Sequence, residues 1–364
     1  MPTASTDTAL DVLALARRLI ATPSLSGEEA DAADLVASHV RRPGVTVQRH
    51  ADNVAFSLGS GPDHLLLNTH LDVVPPSAGH PYDPFDPVVQ DGVLYGRGSV
   101  DAKASAAAMT TALLSLAAEG WTPPAGRLTV ALTTCEEGGG RYNGLQDLRP
   151  RLPEISAALV GEPTSLHPCV AQKGLLILKI HAHGTPAHAG RPHLGANAIT
   201  RAMKALQQLQ AITLDRADPH LGTPSLTVTT IEGGTARNVV PDHCVFAVDI
   251  RTTPASPHDE LIDTITDTLA PIEGVEVEVF SNRFVPCATP NDSRIAAACT
   301  AALPDSDPFG SPTASDWIFL HDVPAVKLGP GNSERSHTAD ERIPVAELER
   351  AVGVYRDIVQ RYFE

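Results

Sequence analysis

The chain has 364 residues, of which 42% are hydrophobic and 19% charged, with 27 basic against 43 acidic side chains and a net charge of −16. That is the composition of a folded globular protein of two or three domains, not of a disordered chain. So negative a field disfavours nucleic acid or an anionic membrane as partner, and no apolar run approaches the roughly 20 residues needed to cross a bilayer.

In chain order, Leu10 to Ile20 has helical apolar spacing. Ser26 then reads as the cap of a second helix, with Glu28 and Glu29 in its first turn. Strands are expected at 45–47, 64–68, 128–133 and 157–160, and a long Ala-rich helix at 101–119. Alternating strands and helices imply an α/β sheet covered on both faces. The character changes near Lys173. Strands at 175–182, 225–231, 245–251 and 275–280, with helices at 196–209 and 257–269, make an α+β insert of ferredoxin-like type. A helix at 293–302, a strand at 324–328 and a helix at 345–362 then rejoin the first layer. The expected division is a catalytic domain of residues 1–173 and 286–364, interrupted by a smaller lid of residues 174–285.

Cys135, Cys169, Cys244, Cys287 and Cys299 are odd in number, widely spaced and without a CxxC pair, which favours reduced thiols and a cytoplasmic setting. The polar stretch from Met1 to Asp11 lacks the basic-then-apolar pattern of a secretory signal. Fifteen histidines against five cysteines point to imidazole and carboxylate chemistry.

Those residues gather at expected strand ends, where open α/β sheets bind ligands. His70 and Asp72 follow the strand at 64–68, and alternate residues of an extended segment face one way, so Asp72 can reach a ring nitrogen of His70 and fix its tautomer. Asp101, in Tyr95-Gly-Arg-Gly-Ser-Val-Asp-Ala-Lys, opens the long helix as a plain cap or as a carboxylate bridging two cations. Glu136 and Glu137 follow the strand at 128–133. Such a pair is usually a solvated acidic turn, but beside a dication one can ligate while the other acts as a base. Glu162 follows the strand at 157–160, and His337 lies beyond the strand at 324–328. His70, His337, Asp101, Glu137 and Glu162 form a mixed N/O set suited to two Zn²⁺-like ions with open positions for water.

The ordered motifs HxD, GRGSxDAK, EEGG, GEPT and GPGNxxxSHTADE resemble the M20 metallopeptidase and deacylase family over essentially the whole chain. The resemblance implies a di-metal α/β domain, Zn²⁺ or Co²⁺ as cofactor, and a lid that makes a homodimer. It implies that His70, Asp101 and Glu162 hold one metal, and Asp101, Glu137 and His337 the other. It further implies that Asp72 orients His70, that Glu136 is the base, and that the Asp101-Ala102 bond is cis. In the lid it implies that His188 and Asn238 stabilise an oxyanion, with His188 reaching a partner's site, and that Arg251 holds a substrate carboxylate. Taken alone, Arg251 reads equally as half of a surface ion pair. Cys135 stands where many relatives have Asp, and reads as a buried spectator rather than a ligand.

Within that family, the stretches around Asp316, Glu162 and His337 resemble acetylornithine deacetylases. The expected small-molecule substrate is therefore N-acetyl-L-ornithine, in arginine biosynthesis. Succinyl-diaminopimelate desuccinylase is the alternative, followed by a dipeptidase or carboxypeptidase. A metal-free binding protein on the same fold would have lost a ligand or the base, and none is missing here.

Overall fold

The first sheet of the computed structural model, which describes residues 10–138 and 142–364, is mixed. Seven of its nine strands run in the order Thr46–His50, Asn53–Gly59, Gly126–Thr133, Asp63–His70, Ala157–Val160, Ala325–Lys327 and Cys169–Gln172. The stretch up to residue 9, and Gly139 and Gly140 of the glycine run, lie outside the described residues. Four neighbouring strands, from Gly126–Thr133 to Ala325–Lys327, run parallel, in register at His70 with Thr133, Asn68 with Val160, and Val160 with Lys327. Their carboxyl ends therefore open on one edge, and every candidate ligand except Asp101 follows one of them.

Helices cover both faces, as the alternation of elements implied. The helix Lys103–Ala118 is buried along nearly its whole length. An all-round small, apolar surface lets it sit inside the domain rather than on it. The helix Val345–Phe363 packs beside it through Leu348, Tyr355 and Ile358.

Three elements differ from expectation, each for a physical reason. Strand Asn53–Gly59 was not foreseen, because it is buried on both faces and shows no polar alternation. The second helix starts at Ala30 rather than at Ser26, whose hydroxyl donates instead to Asp72 Oδ2 at 2.7 Å. A small antiparallel sheet of Val88–Gln90, Val93–Tyr95 and Arg342–Pro344 was also unforeseen, its strands being only three residues long. That sheet brings the segment before Asp101 against the segment after His337.

The chain divides into two compact units. Residues 171–288 with 310–314 form the second. Its four antiparallel strands have the order Ser225–Gly233, His243–Thr252, Gly174–His183, Val275–Phe284. Helices Ala198–Gln210 and His258–Leu269 cover one face through a separate core that includes Leu178, Ile180, Phe246 and Ile265. This is the ferredoxin-like arrangement. The short return of 310–314 to this unit went unseen in the sequence, which carries no composition change there. No helix among the described residues is long and apolar enough to cross a membrane.

Candidate metal centre

His70 is 1% exposed at the end of its strand. Its Nδ1 lies 2.9 Å from the main-chain carbonyl of Asp72 and 3.4 Å from that residue's carboxylate. Asp72 thus reaches the ring as the spacing suggested, with its carbonyl the nearer partner. A proton on Nδ1 leaves Nε2 as the free donor atom. Nε2 faces Asp101 Oδ1 at 3.2 Å and Glu162 Oε1 at 3.9 Å.

The second oxygen of Asp101 faces the other histidine: Oδ2 lies 3.6 Å from His337 Nε2, which is also 2.9 Å from Glu137 Oε1. One carboxylate therefore stands between two imidazoles, with a further carboxylate beside each. Ligand atoms of His70, Asp101 and Glu137 all lie within 4.8 Å of one another.

Backbone geometry serves the same end. The Asp101-Ala102 peptide is cis. Cys135 and His337 have φ of +56° and +66°, sparsely populated values for side-chain-bearing residues that concentrate at functional sites. In the turn before Asp101, a Cβ on Gly98 would come within 2.9 Å of Lys103 and Val73, so only glycine fits.

The electrostatics are those of a crowded acidic pocket. Burial disfavours a charge on His70, but Asp101 and Asp72 outweigh it and hold its pKa well above the ordinary imidazole range. Burial and the neighbouring Glu162 push Glu136 well above the ordinary carboxyl range. Burial and Asp101 push Glu162 up to about 8. Burial also opposes ionisation of Asp101, yet its two histidines hold its pKa down. Two imidazoles and three crowded carboxylates fit a pair of borderline divalent cations, whose charge would offset that repulsion.

Several supporting contacts escaped the sequence reading. Asp72 accepts the backbone N–H groups of Glu136 at 3.1 Å and Glu137 at 3.0 Å. Glu29, read as a first-turn acid, is buried and accepts the backbone N–H groups of Cys135 and Gly27. Glu341, the last residue of SHTADE, accepts those of Val100 and Asp101 at 2.9 and 3.1 Å and pairs with Arg97 at 2.5 Å, both side chains being 1% exposed. Asp316 is held by Asn143 and Thr133, and burial pushes it up to about 6. The motifs contained Arg97 and Glu341, but nothing in the sequence paired them. The Cys135 thiol stays protonated, pushed up to about 12 by burial and by Glu29, as befits a spectator.

In the second unit, His188 and Asn238 come together: His188 bridges to Val239, and the Ala189 N–H donates to the Asn238 carbonyl at 2.9 Å. Both side chains are exposed. Arg251 lies on strand His243–Thr252, where its Nε donates to Asp249 Oδ1 at 2.9 Å. In this structure it has the local ion pair that was its alternative reading.

Fold and site together define a metal-dependent amide hydrolase. Residues 66–361 match the peptidase family M20/M25/M40, and the chain belongs to that family. It is similar to the succinyl-diaminopimelate desuccinylases of Rhodospirillum centenum (32% identical; 97% of each chain covered) and Rhizorhabdus wittichii (31% identical; 96% of this chain and 98% of the relative). Among solved structures, the aminopeptidase PepT of Bacillus cereus superposes with a TM-score of 0.77 at 22% identity, covering 98% of this chain and 99% of that one. A Bacillus subtilis protein described as a dinuclear metal-binding M20 peptidase superposes with a TM-score of 0.75 at 14% identity, covering 97% and 98%. These likenesses support the α/β fold, and the family supports the hydrolase class.

Proposed function

We propose that the chain removes the acyl group from an N-acyl amino acid, with N-succinyl-diaminopimelate the leading substrate. The observation that carries the hydrolytic part is the Asp101 carboxylate, one oxygen toward His70 and the other toward His337. The substrate rests on the desuccinylase name of relatives 31–32% identical over nearly the full chain. N-acetyl-L-ornithine, expected from the motifs, gives way to it, and so does a place in arginine biosynthesis.

His70, Asp101 and Glu162 would hold one cation, and Asp101, Glu137 and His337 the other, Zn²⁺ being the ion that suits this donor set best. Bound there, the two ions would polarise the scissile carbonyl and lower the pKa of a water. Glu136 takes the proton of the attacking water and passes it to the leaving amine. Asp72 keeps His70 in its ligating tautomer. His188 and Asn238 donate to the oxyanion. Arg251 exchanges Asp249 for the substrate's α-carboxylate.

A succinyl group carries a second carboxylate, and the lid offers cations for it. Arg191 donates its backbone N–H to the His188 carbonyl at 2.7 Å, and Arg237 adjoins Asn238. Neither guanidinium has an ion pair among the described residues, and both are exposed. The reading includes a homodimer through this unit and a cytoplasmic setting.

The deciding experiment compares kcat/KM for N-succinyl-diaminopimelate, N-acetyl-L-ornithine and an unmodified dipeptide, using protein loaded with Zn²⁺ or Co²⁺. The succinyl compound should lead by at least tenfold. A lead for N-acetyl-L-ornithine would restore the deacetylase assignment, and no hydrolysis of any acylated amino acid would remove the deacylase reading.

A further inference from the structure

The second unit has one sheet face covered by helices and one that is not. Along Gly174–His183 the buried residues are Leu176, Leu178, Ile180 and Ala182, so His181 and His183 point to the opposite face. Strand His243–Thr252 pairs His243 directly with His183, and strand Val275–Phe284 pairs Glu276 with His181. Three histidines and two glutamates from three adjacent strands therefore share one patch, and none of the five is assigned a part in hydrolysis.

The rings are close. Centroids lie 5.4 Å apart for His183 and His243, 5.7 Å for His181 and His243, and 6.2 Å for the stacked His181 and His183. His181 Nδ1 is 3.4 Å from His243 Nε2. Two nitrogens bound to one tetrahedral cation at 2.0–2.1 Å stand about 3.3 Å apart. On its far side, His181 Nε2 meets Glu278 Oε2 at 2.7 Å. A carboxylate on one ring nitrogen and an open donor on the other is the arrangement that fixes the tautomer of metal-bound histidine. His183 Nε2 lies 3.7 Å from Glu276, and its side chain is 48% exposed, so a change of rotamer can bring it in as a third ligand.

We propose that this face binds one transition-metal dication of the Zn²⁺ class, through His181 and His243 with His183 completing the set, and with Glu278 as the orienting carboxylate. Crowded imidazoles repel when protonated and bind such ions when neutral, and neutral imidazole suits Zn²⁺, Ni²⁺ and Cu²⁺. The site is independent of the substrate reading and of the centre around Asp101.

Full-length protein equilibrated with Zn²⁺ and passed through a desalting column should retain one more equivalent per chain than the His181→Ala/His243→Ala variant. That variant should keep its hydrolytic activity. The His70→Ala/His337→Ala variant should retain the lid equivalent while losing metal from the other centre. Glu278→Gln, which leaves all three histidines in place, should weaken the extra site about 10- to 100-fold in a chelator competition. Equal metal content in wild type and the His181/His243 variant would overturn the proposal, as would a His70/His337 variant that binds none. Retention of full metal content by the His70/His337 variant would count against the catalytic centre alone.

Discussion

Asp72 and Glu137 are joined through the backbone: Asp72 Oδ2 accepts the Glu137 N–H at 3.0 Å while Oδ1 accepts that of Glu136 at 3.1 Å. The residue that contacts His70 therefore also sets the turn carrying the proposed ligand and the proposed base. Asp72→Ala should cost both functions. Two N–H groups lose their partner, at about 1–3 kcal/mol each where buried. Metal affinity should fall about 10- to 100-fold. Urea unfolding and chelator competition would measure the two losses. Unchanged affinity would separate Asp72 from the metal centre.

Glu136 and Glu137 adjoin in sequence but have different tasks in the proposed mechanism. Glu136→Gln should keep both metals and lower kcat by about 10²- to 10⁴-fold, the usual size of a general-base contribution. Glu137→Gln should lose one metal equivalent. Elemental analysis of both variants beside their kcat values decides the point, and the reverse pattern would exchange the roles.

Glu341→Gln keeps an oxygen for the Val100 and Asp101 N–H groups but leaves Arg97 as a buried, uncompensated charge. Breaking such a pair costs about 3–5 kcal/mol. An Arg97→Met change added to Glu341→Gln should recover part of that loss, giving a positive coupling in denaturant titrations. Simple additivity would show that the two side chains do not act as a pair.

His64 is buried in strand Asp63–His70, its Nε2 2.8 Å from Thr129 Oγ1. Burial lowers its pKa below the ordinary 6.5. Below that value the unfolded chain takes up a proton that the folded chain refuses, so the stabilising contribution is present at higher pH and lost as pH falls through 6.5. Wild type should thus lose stability between pH 7 and 5 more steeply than His64→Gln. Parallel urea midpoints across that window would contradict the assignment.

Arg191→Ala and Arg237→Ala test the proposed site for the second carboxylate. Loss of a charge-assisted contact of about 1.5–3 kcal/mol corresponds to a ten- to hundredfold fall in kcat/KM. That fall should appear with the succinyl substrate and not with N-acetyl-L-ornithine. Equal effects on both substrates would place the arginines elsewhere in the reaction.

Much of this protein was legible in its sequence because the signals are local. Apolar runs ending in His70, Glu136 and Glu162 marked strand ends, and a strand end in a parallel sheet is a ligand site by geometry. The two central lid strands, Gly174–His183 and His243–Thr252, alternate between buried and less buried positions because helices cover one face only, so they were readable. Asn53–Gly59, buried on both sides, has no such alternation. The cap assigned to Ser26 failed because the helix begins only at Ala30, four residues on, beyond the reach of an N-cap oxygen, and the Ser26 hydroxyl donates to the buried Asp72 carboxylate.

The sequence by itself determined the residue types of the candidate metal centre, their order and the α/β class, since each follows from short-range pattern and side-chain chemistry. Tertiary structure alone decided that Asp101 turns one oxygen to each histidine, that Asp72 grips the Glu136-Glu137 turn, and that Arg97 meets Glu341 across more than two hundred residues. It also decided that His181, His183 and His243 share one face of a sheet. Strand register and loop closure set those distances, and both depend on pairings between segments far apart in the chain, which no local spacing encodes.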